Sequence, residues 1–243
     1  MLRLLMIAAV LTVVDPARAA LDAGVWDVAD LTDTWHPRVE VGGRWLDVEQ
    51  LTMLEAVHER IQFAAEYPVR LVIVPGDAPS AFATIMERQP IIGINFAMLD
   101  AIGADDAQFA ALIGHEIAHL KLEHGDKQQK RNIPKQVANS VVGGLIQNPI
   151  GSLLGRALVT AVDSTYSRKA ERESDYLGAV WAVQAGYAAQ GAVRLQETLA
   201  AQGKKHPLPF LSSHPRTEDR MANLRALADR LSPGEPEIQQ QTE

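Results

Sequence analysis

Apolar and polar positions divide this chain into several helices and a small sheet. Val48 to Tyr67 carries apolar residues at helical spacing until Pro68 breaks the run. Leu71-Val72-Ile73-Val74 is a short unbroken apolar run stopped by Pro75-Gly76, the pattern of a buried strand, and Ile91 to Phe96 after Pro90 is a second strand. Residues 105 to 124 form the next helix. Asp105 caps it with Gln108 as the reciprocal partner three residues on, no Gly or Pro intervenes before Gly114, and Gly125 stands where a left-handed cap would close it. Its apolar positions lie on nearly all sides, so this helix is expected inside the core. Residues 165 to 186, 187 to 202 and 217 to 231 supply three more helices. The fold class that follows is α+β, mainly α-helical, with a small β-sheet beside the helix of residues 105–124.

The remaining stretches read differently. Residues 20 to 48 are irregular, with Trp26, Trp35 and Trp45 among Asp, Pro and Gly, and are expected to wrap the core without chemistry. Residues 136 to 155 carry no charge and include Gly143, Gly144, Gly151 and Gly155. Asn139, Ser140, Gln147 and Asn148-Pro149 would leave amides and a broken helix in hydrocarbon, which argues against a span. Two short apolar helices joined at Asn148-Pro149 fit better, as plain core, a cover over a cleft or a peripheral membrane contact. The tail of residues 233–243 is expected to be disordered.

Composition narrows the classes. At 243 residues and 47% hydrophobic, the chain can build one sizeable core, expected over residues 20–232. Arg3, the apolar Leu4 to Val14 and Ala17-Arg18-Ala19 have the layout of an export signal, residues 1–19. Cleavage there would remove Arg3, Asp15 and Arg18, a net +1, and take the formal charge from −7 to −8. An acidic protein is a poor ligand for nucleic acid, so no such partner is expected. Cysteine is absent, which excludes disulfides, thiol catalysis and thiolate metal sites. An exported, cysteine-free chain fits a periplasm.

The chemistry is concentrated in His115-Glu116-Ile117-Ala118-His119. Two imidazoles at i, i+4 share one helix face and can grip one metal ion, while the adjacent carboxylate can reach a water on that ion. Two histidines leave a zinc under-coordinated, so a further ligand must come from another element. The richest candidate is Glu171-Arg172-Glu173-Ser174-Asp175. Glu171 and Asp175 share a face, so one can bind metal and the other accept a histidine N–H, and spacing does not say which. Taken alone, the segment also fits a solvated charged helix with ion pairs to Arg168 and Arg172. His124 lies some 140° around a continuous helix from His119 and is assigned no part in the site. His36, His58 and His206 are assigned none either.

His115-Glu116-x-x-His119, then Ser167-Arg168-x-x-Glu171-x-Glu173-x-Asp175, then Ser213-His214-Pro215 with Arg220 downstream, resembles the Ste24/HtpX-type gluzincin zinc metallopeptidases. Within that family it is most similar to the small exported BepA and Oma-type members. The resemblance covers roughly residues 50 to 230. It implies one Zn2+ per chain held by His115, His119 and Glu171, with Asp175 behind them and Glu116 as general base. It also brings His214 near the cleft, where it could steady an oxyanion, take the open metal position as a reversible inhibitory ligand, or only order the turn before the last helix. Tyr166, Arg168 and Arg220 are weaker transition-state candidates. The chain departs from the family at Ser174, where Ala is usual, and at Met86-Glu87-Arg88-Gln89-Pro90, where a glycine-containing turn is usual. The implied activity is endopeptidase cleavage of polypeptides, unfolded envelope proteins in particular. Substrate is expected to lie extended along Ile91 to Phe96, with Asn95 as an optional helper. The rival class is a chaperone-like binding protein with a latent zinc site. Hydrolysis of a non-peptide amide is weaker, since the substrate strand would then have no purpose.

Overall fold

The computed structural model describes residues 24–86, 88–125, 165–204 and 208–232. The export signal, the apolar segment 136–155, His206 and the tail all lie outside the described residues. The segment read as irregular contains a short strand β1 (Trp26–Asp27), a helical turn α1 (Val28–Thr32) and a hairpin, β2 (Arg38–Val41) and β3 (Arg44–Asp47). The chain continues through α2 (Val48–Ala64), β4 (Arg70–Val74), β5 (Ala81–Met86), β6 (Gln89–Asn95) and α3 (Phe96–Ile102). Then come α4 (Asp106–Lys121), α5 (Arg168–Gln184), α6 (Gln190–Gly203), a short α7 (Pro209–Ser213) and α8 (Glu218–Leu231).

The main sheet runs β1-β4-β6-β5, with β4 and β6 parallel and the two outer strands antiparallel to their neighbours. Sequence reading missed β5. Ala81–Met86 lacks a strong alternating pattern, and its register with β6 sets Phe82 opposite Gly93, which makes room for the ring. A Cβ at Gly93 would come within 2.2 Å of the Phe82 ring. The consequence is a correction: β6 is hydrogen-bonded on both sides, so among the described residues the sheet edges are β5 and β1, and of the β5–β6 hairpin only β5 is open to an added strand. Asn95 is likewise part of the frame. Buried at the end of β6, it accepts from Ser80 N (3.0 Å) and Met98 N (2.9 Å) and donates to the Ala78 carbonyl (2.7 Å).

Helix α4 is the axis of the molecule. Every residue from Ala107 to Leu120 is buried, as its all-round apolar pattern requires. It packs against α2, α5 and α6 and against β5 and β6. Asp105 caps it, accepting from Gln108 N at 3.0 Å; the Gln108 amide returns to the Asp105 carboxylate at 3.0 Å, not to the cap N–H. Arg194 of α6 grips the same carboxylate with two bonds of 2.7 and 2.8 Å. Among the described residues no helix is long and apolar enough to cross a membrane.

Candidate metal centre

Two glycines decide how the metal-type residues meet. Gly114 precedes His115 on α4, and Gly178 lies on α5 two turns beyond Glu171. A Cβ at Gly114 would stand 2.9 Å from Gly178 Cα, and one at Gly178 would stand 2.7 Å from His115 N. Backbone therefore touches backbone, and α5 comes close enough for a short carboxylate to reach α4. Ser167 caps α5, its hydroxyl accepting from Ala170 N at 3.2 Å, which starts the helix in time to place Glu171 in its first turn.

The side chains converge on one point. His119 Nε2 lies 3.0 Å from His115 Nε2 and 3.3 Å from Glu171 Oε1. His214, just after α7, brings Nδ1 to 3.1 Å from His115 Nε2 and 3.0 Å from Glu171 Oε1. One ligand atom from each of His115, His119, Glu171 and His214 falls within a 4.8 Å group, and all four residues are buried. The group fits a metal ion by the chemistry of its donors. Three ring nitrogens and a carboxylate oxygen point at a shared centre at spacings near the ~3.3 Å edge of a tetrahedron with zinc-length bonds. Neutral imidazole nitrogens and a carboxylate oxygen gathered at this range are the donor set that a divalent ion such as zinc takes. Glu116 Oε1 is buried without a hydrogen-bond partner among the described residues, 3.5 Å from His214 Nε2.

Electrostatics separate the roles. Burial raises the Glu116 carboxyl above its usual value, and the neighbouring imidazoles of His214 and His115 only partly offset this. Burial also opposes charge on Glu171, yet His214, His119 and His115 hold it well below the carboxylate range. Asp175 accepts from His115 Nδ1 at 3.0 Å. Despite burial, that hydrogen bond and the Glu171 charge raise His115, whereas burial carries His119 well below its usual value.

The sequence left the choice between Glu171 and Asp175 open at the level of spacing. The fold brings Glu171 into the cluster and sets Asp175 behind His115. Arg220 of α8 binds Asp175 with two bonds, 2.6 and 2.7 Å, and ion-pairs with Glu171. It ties α8 to α5 and holds both carboxylates, the helix-tying use of arginine. Tyr166 stacks on His119 with ring centroids 3.9 Å apart, while Arg168 and Arg172 are exposed at the rim of a cleft of about 260 Å³ that Tyr166, Glu171 and Arg220 line. A larger hollow of about 620 Å³, around Glu55, His58 and Arg70, shares no residue with the cluster.

One residue set aside on helical geometry has to be restored. The helix ends at Lys121, and Glu123 adopts φ 53°, so the break comes before Gly125, which does not take the left-handed conformation expected of it. That turn swings His124 back, and its Nδ1 lies 3.1 Å from His119 Nδ1. The 140° argument assumed an unbroken helix.

The model of peptidase family M48 matches residues 47–228, which span every element of the site. The chain belongs to peptidase family M48. The match bears out the resemblance drawn from the order of the motifs. The chain is 28% identical over 133 residues to the metalloprotease YcaL of Escherichia coli, covering 54% of this chain and 51% of that protein. It is 27% identical over 140 residues to a protein named putative beta-barrel assembly-enhancing protease of Vibrio cholerae, covering 53% and 29%. It is 30% identical over 115 residues to the mitochondrial metalloendopeptidase OMA1 of Arabidopsis thaliana, covering 47% and 23%. The aligned part of this M48 chain thus spans about half of these relatives' length or less.

Proposed function

We propose that this M48 protein is a zinc-dependent endopeptidase that cuts unfolded or misassembled polypeptides in a cell envelope. The observation that carries the reading is the buried convergence of His115, His119 and Glu171 with Glu116 beside them. A zinc ion there would polarise the scissile carbonyl and acidify a water. Glu116 is the base. Its carboxyl, raised by burial and with Oε1 lacking a hydrogen-bond partner among the described residues, suits accepting a proton from water and handing it to the leaving amine. Asp175 fixes the ring of His115 from behind, and Arg220 holds Asp175. Substrate lies extended on the free edge of β5, where main-chain hydrogen bonds serve many sequences alike. The names of the relatives and the export-signal pattern of residues 1–19 support the envelope setting. An aqueous periplasm is the compartment proposed.

Of the two roles open to His214, the contacts favour the inhibitory ligand. Its Nδ1 sits among the ligand atoms themselves, at the position that water or substrate needs. The described chain is therefore read as a resting form.

The experiment pairs zinc analysis with cleavage of casein and of an unfolded outer-membrane protein by wild type and Glu116→Gln. The endopeptidase reading expects one zinc in each and cleavage slower by 100-fold or more in Glu116→Gln. Equal cleavage by the two, or none by either in long incubations, favours the chaperone-like reading instead.

A further inference from the structure

We propose that His124 is a positioning residue for the metal site: it locks His119 from behind through an Nδ1 to Nδ1 hydrogen bond and is itself held by Glu173. The inference rests on the zinc reading above. His119 turns Nε2 toward the cluster, so that nitrogen presents its lone pair and the ring proton sits on Nδ1. That proton needs an acceptor. His124 Nδ1 offers one at 3.1 Å, with the two rings almost perpendicular at 75° and centroids 5.0 Å apart. Edge-on approach suits an N–H donated into an in-plane lone pair. His124 must then carry its own proton on Nε2, and Glu173 Oε2 lies 3.4 Å from that nitrogen. The Ser174 hydroxyl, fully buried, stands 3.3 Å from the accepting Nδ1 and narrows the space in which the ring can turn.

Each metal-facing histidine of α4 is thus backed by a group carried on another segment. His115 is held by Asp175 of α5. His119 is held by His124 just past the helix end, and His124 in turn by Glu173 and Ser174 of α5. One stretch of α5 accordingly supplies Glu171 to the centre, backs His115 directly and backs His119 by way of His124. A partner of this kind fixes the tautomer and the ring angle of a ligand, and losing it typically costs 10–100-fold in metal affinity.

The test measures zinc affinity by chelator competition on the purified full chain, with Co2+ absorption as a second readout of ligand geometry. His124→Leu removes the acceptor while keeping an apolar bulk. His124→Asn can offer its amide oxygen where Nδ1 stood, and Glu173→Gln changes the charge of a half-exposed residue. Expected are zinc binding weaker by about 10–100-fold in His124→Leu, recovery of most of it in His124→Asn and a smaller loss in Glu173→Gln. The Co2+ spectrum should be altered in His124→Leu and close to wild type in His124→Asn. Wild-type zinc affinity in His124→Leu overturns the proposal, as does a loss in His124→Asn as large as that in His124→Leu. If His124→Leu does not fold, His124→Ala takes its place in the same competition: weak binding that His124→Asn restores supports the proposal, and wild-type affinity in His124→Ala overturns it. A wild type that binds no zinc overturns the zinc reading itself, which the other outcomes leave standing.

Discussion

At the scale of single residues, the site is a set of buried groups, each acceptable only because of its neighbours. Unpaired, a buried carboxylate such as Glu171 would be neutralised; three imidazoles and Arg220 keep it charged. His214 gives the sharpest prediction here. As an inhibitory ligand it should release activity when removed, so His214→Ala should cut casein several-fold faster than wild type at saturating zinc while binding zinc about 10-fold more weakly. An oxyanion role predicts the reverse for turnover, a fall of about 100-fold, so initial rates decide between them. Three residues of the motif were legible from spacing alone, because i, i+4 geometry is local. His124 was not, since its place depends on a backbone break at Glu123, a non-glycine residue with positive φ that no turn signal announces.

Helices and strands pose a different problem, that of placing residues accurately. The cap of α4 at Asp105 is tied to α6 through Arg194, whose hydrogen bonds, helped by Gln108 against a burial penalty, lower the Asp105 carboxyl from 3.8 to about 2. A depressed folded value means the stabilisation is complete above 3.8 and is lost as pH falls toward 2. Urea unfolding of wild type and Asp105→Ala should therefore differ by about 1–2 kcal/mol at neutral pH and converge as the pH approaches 2. The glycine contact between α4 and α5 gives a second prediction. In Gly178→Ala the new methyl meets the backbone of His115 and Gly114, so the helices must separate. A loss of about 1–3 kcal/mol is expected, with weaker zinc binding; calorimetry and chelator competition check the two separately. Helices α2, α4, α5, α6 and α8 could be read from their periods to within a few residues, because a one-sided or all-round apolar pattern is a property of the helix itself. Strand β5 could not be. Its ladder partner β6 and the gap at Gly93 make it a strand, and neither lies in its own sequence.

Across the whole molecule, the centre joins segments far apart in sequence: α4, α5 and the turn after α7 contribute ligand-type atoms, and α8 braces them through Arg220. A metal bound at that junction binds the folded chain and not the unfolded one, so it should act as a staple. With free zinc at 100 times its dissociation constant the gain is about 2.7 kcal/mol, and chelation should lower the melting temperature by roughly 5–10 °C. Scanning calorimetry with and without chelator measures it. A melting point unchanged by chelation would mean that the cluster holds no ion in solution.

The sequence by itself determined the helical frame, the histidine pair with its carboxylate, the acidic segment as the source of further ligands and, through the order of three motifs, membership of the M48 family. All of these are local patterns or ordered combinations of them, written in periods of two and 3.6 and in the chemistry of side chains. Only the tertiary structure decided that Glu171 faces the histidines while Asp175 stands behind one of them, that β5 and not β6 has the free edge, and that His124 returns to His119. These depend on backbone approaching backbone at Gly114 and Gly178, on pairing between strands, and on a turn at Glu123, contacts between residues whose separation along the chain carries no record of their meeting in space.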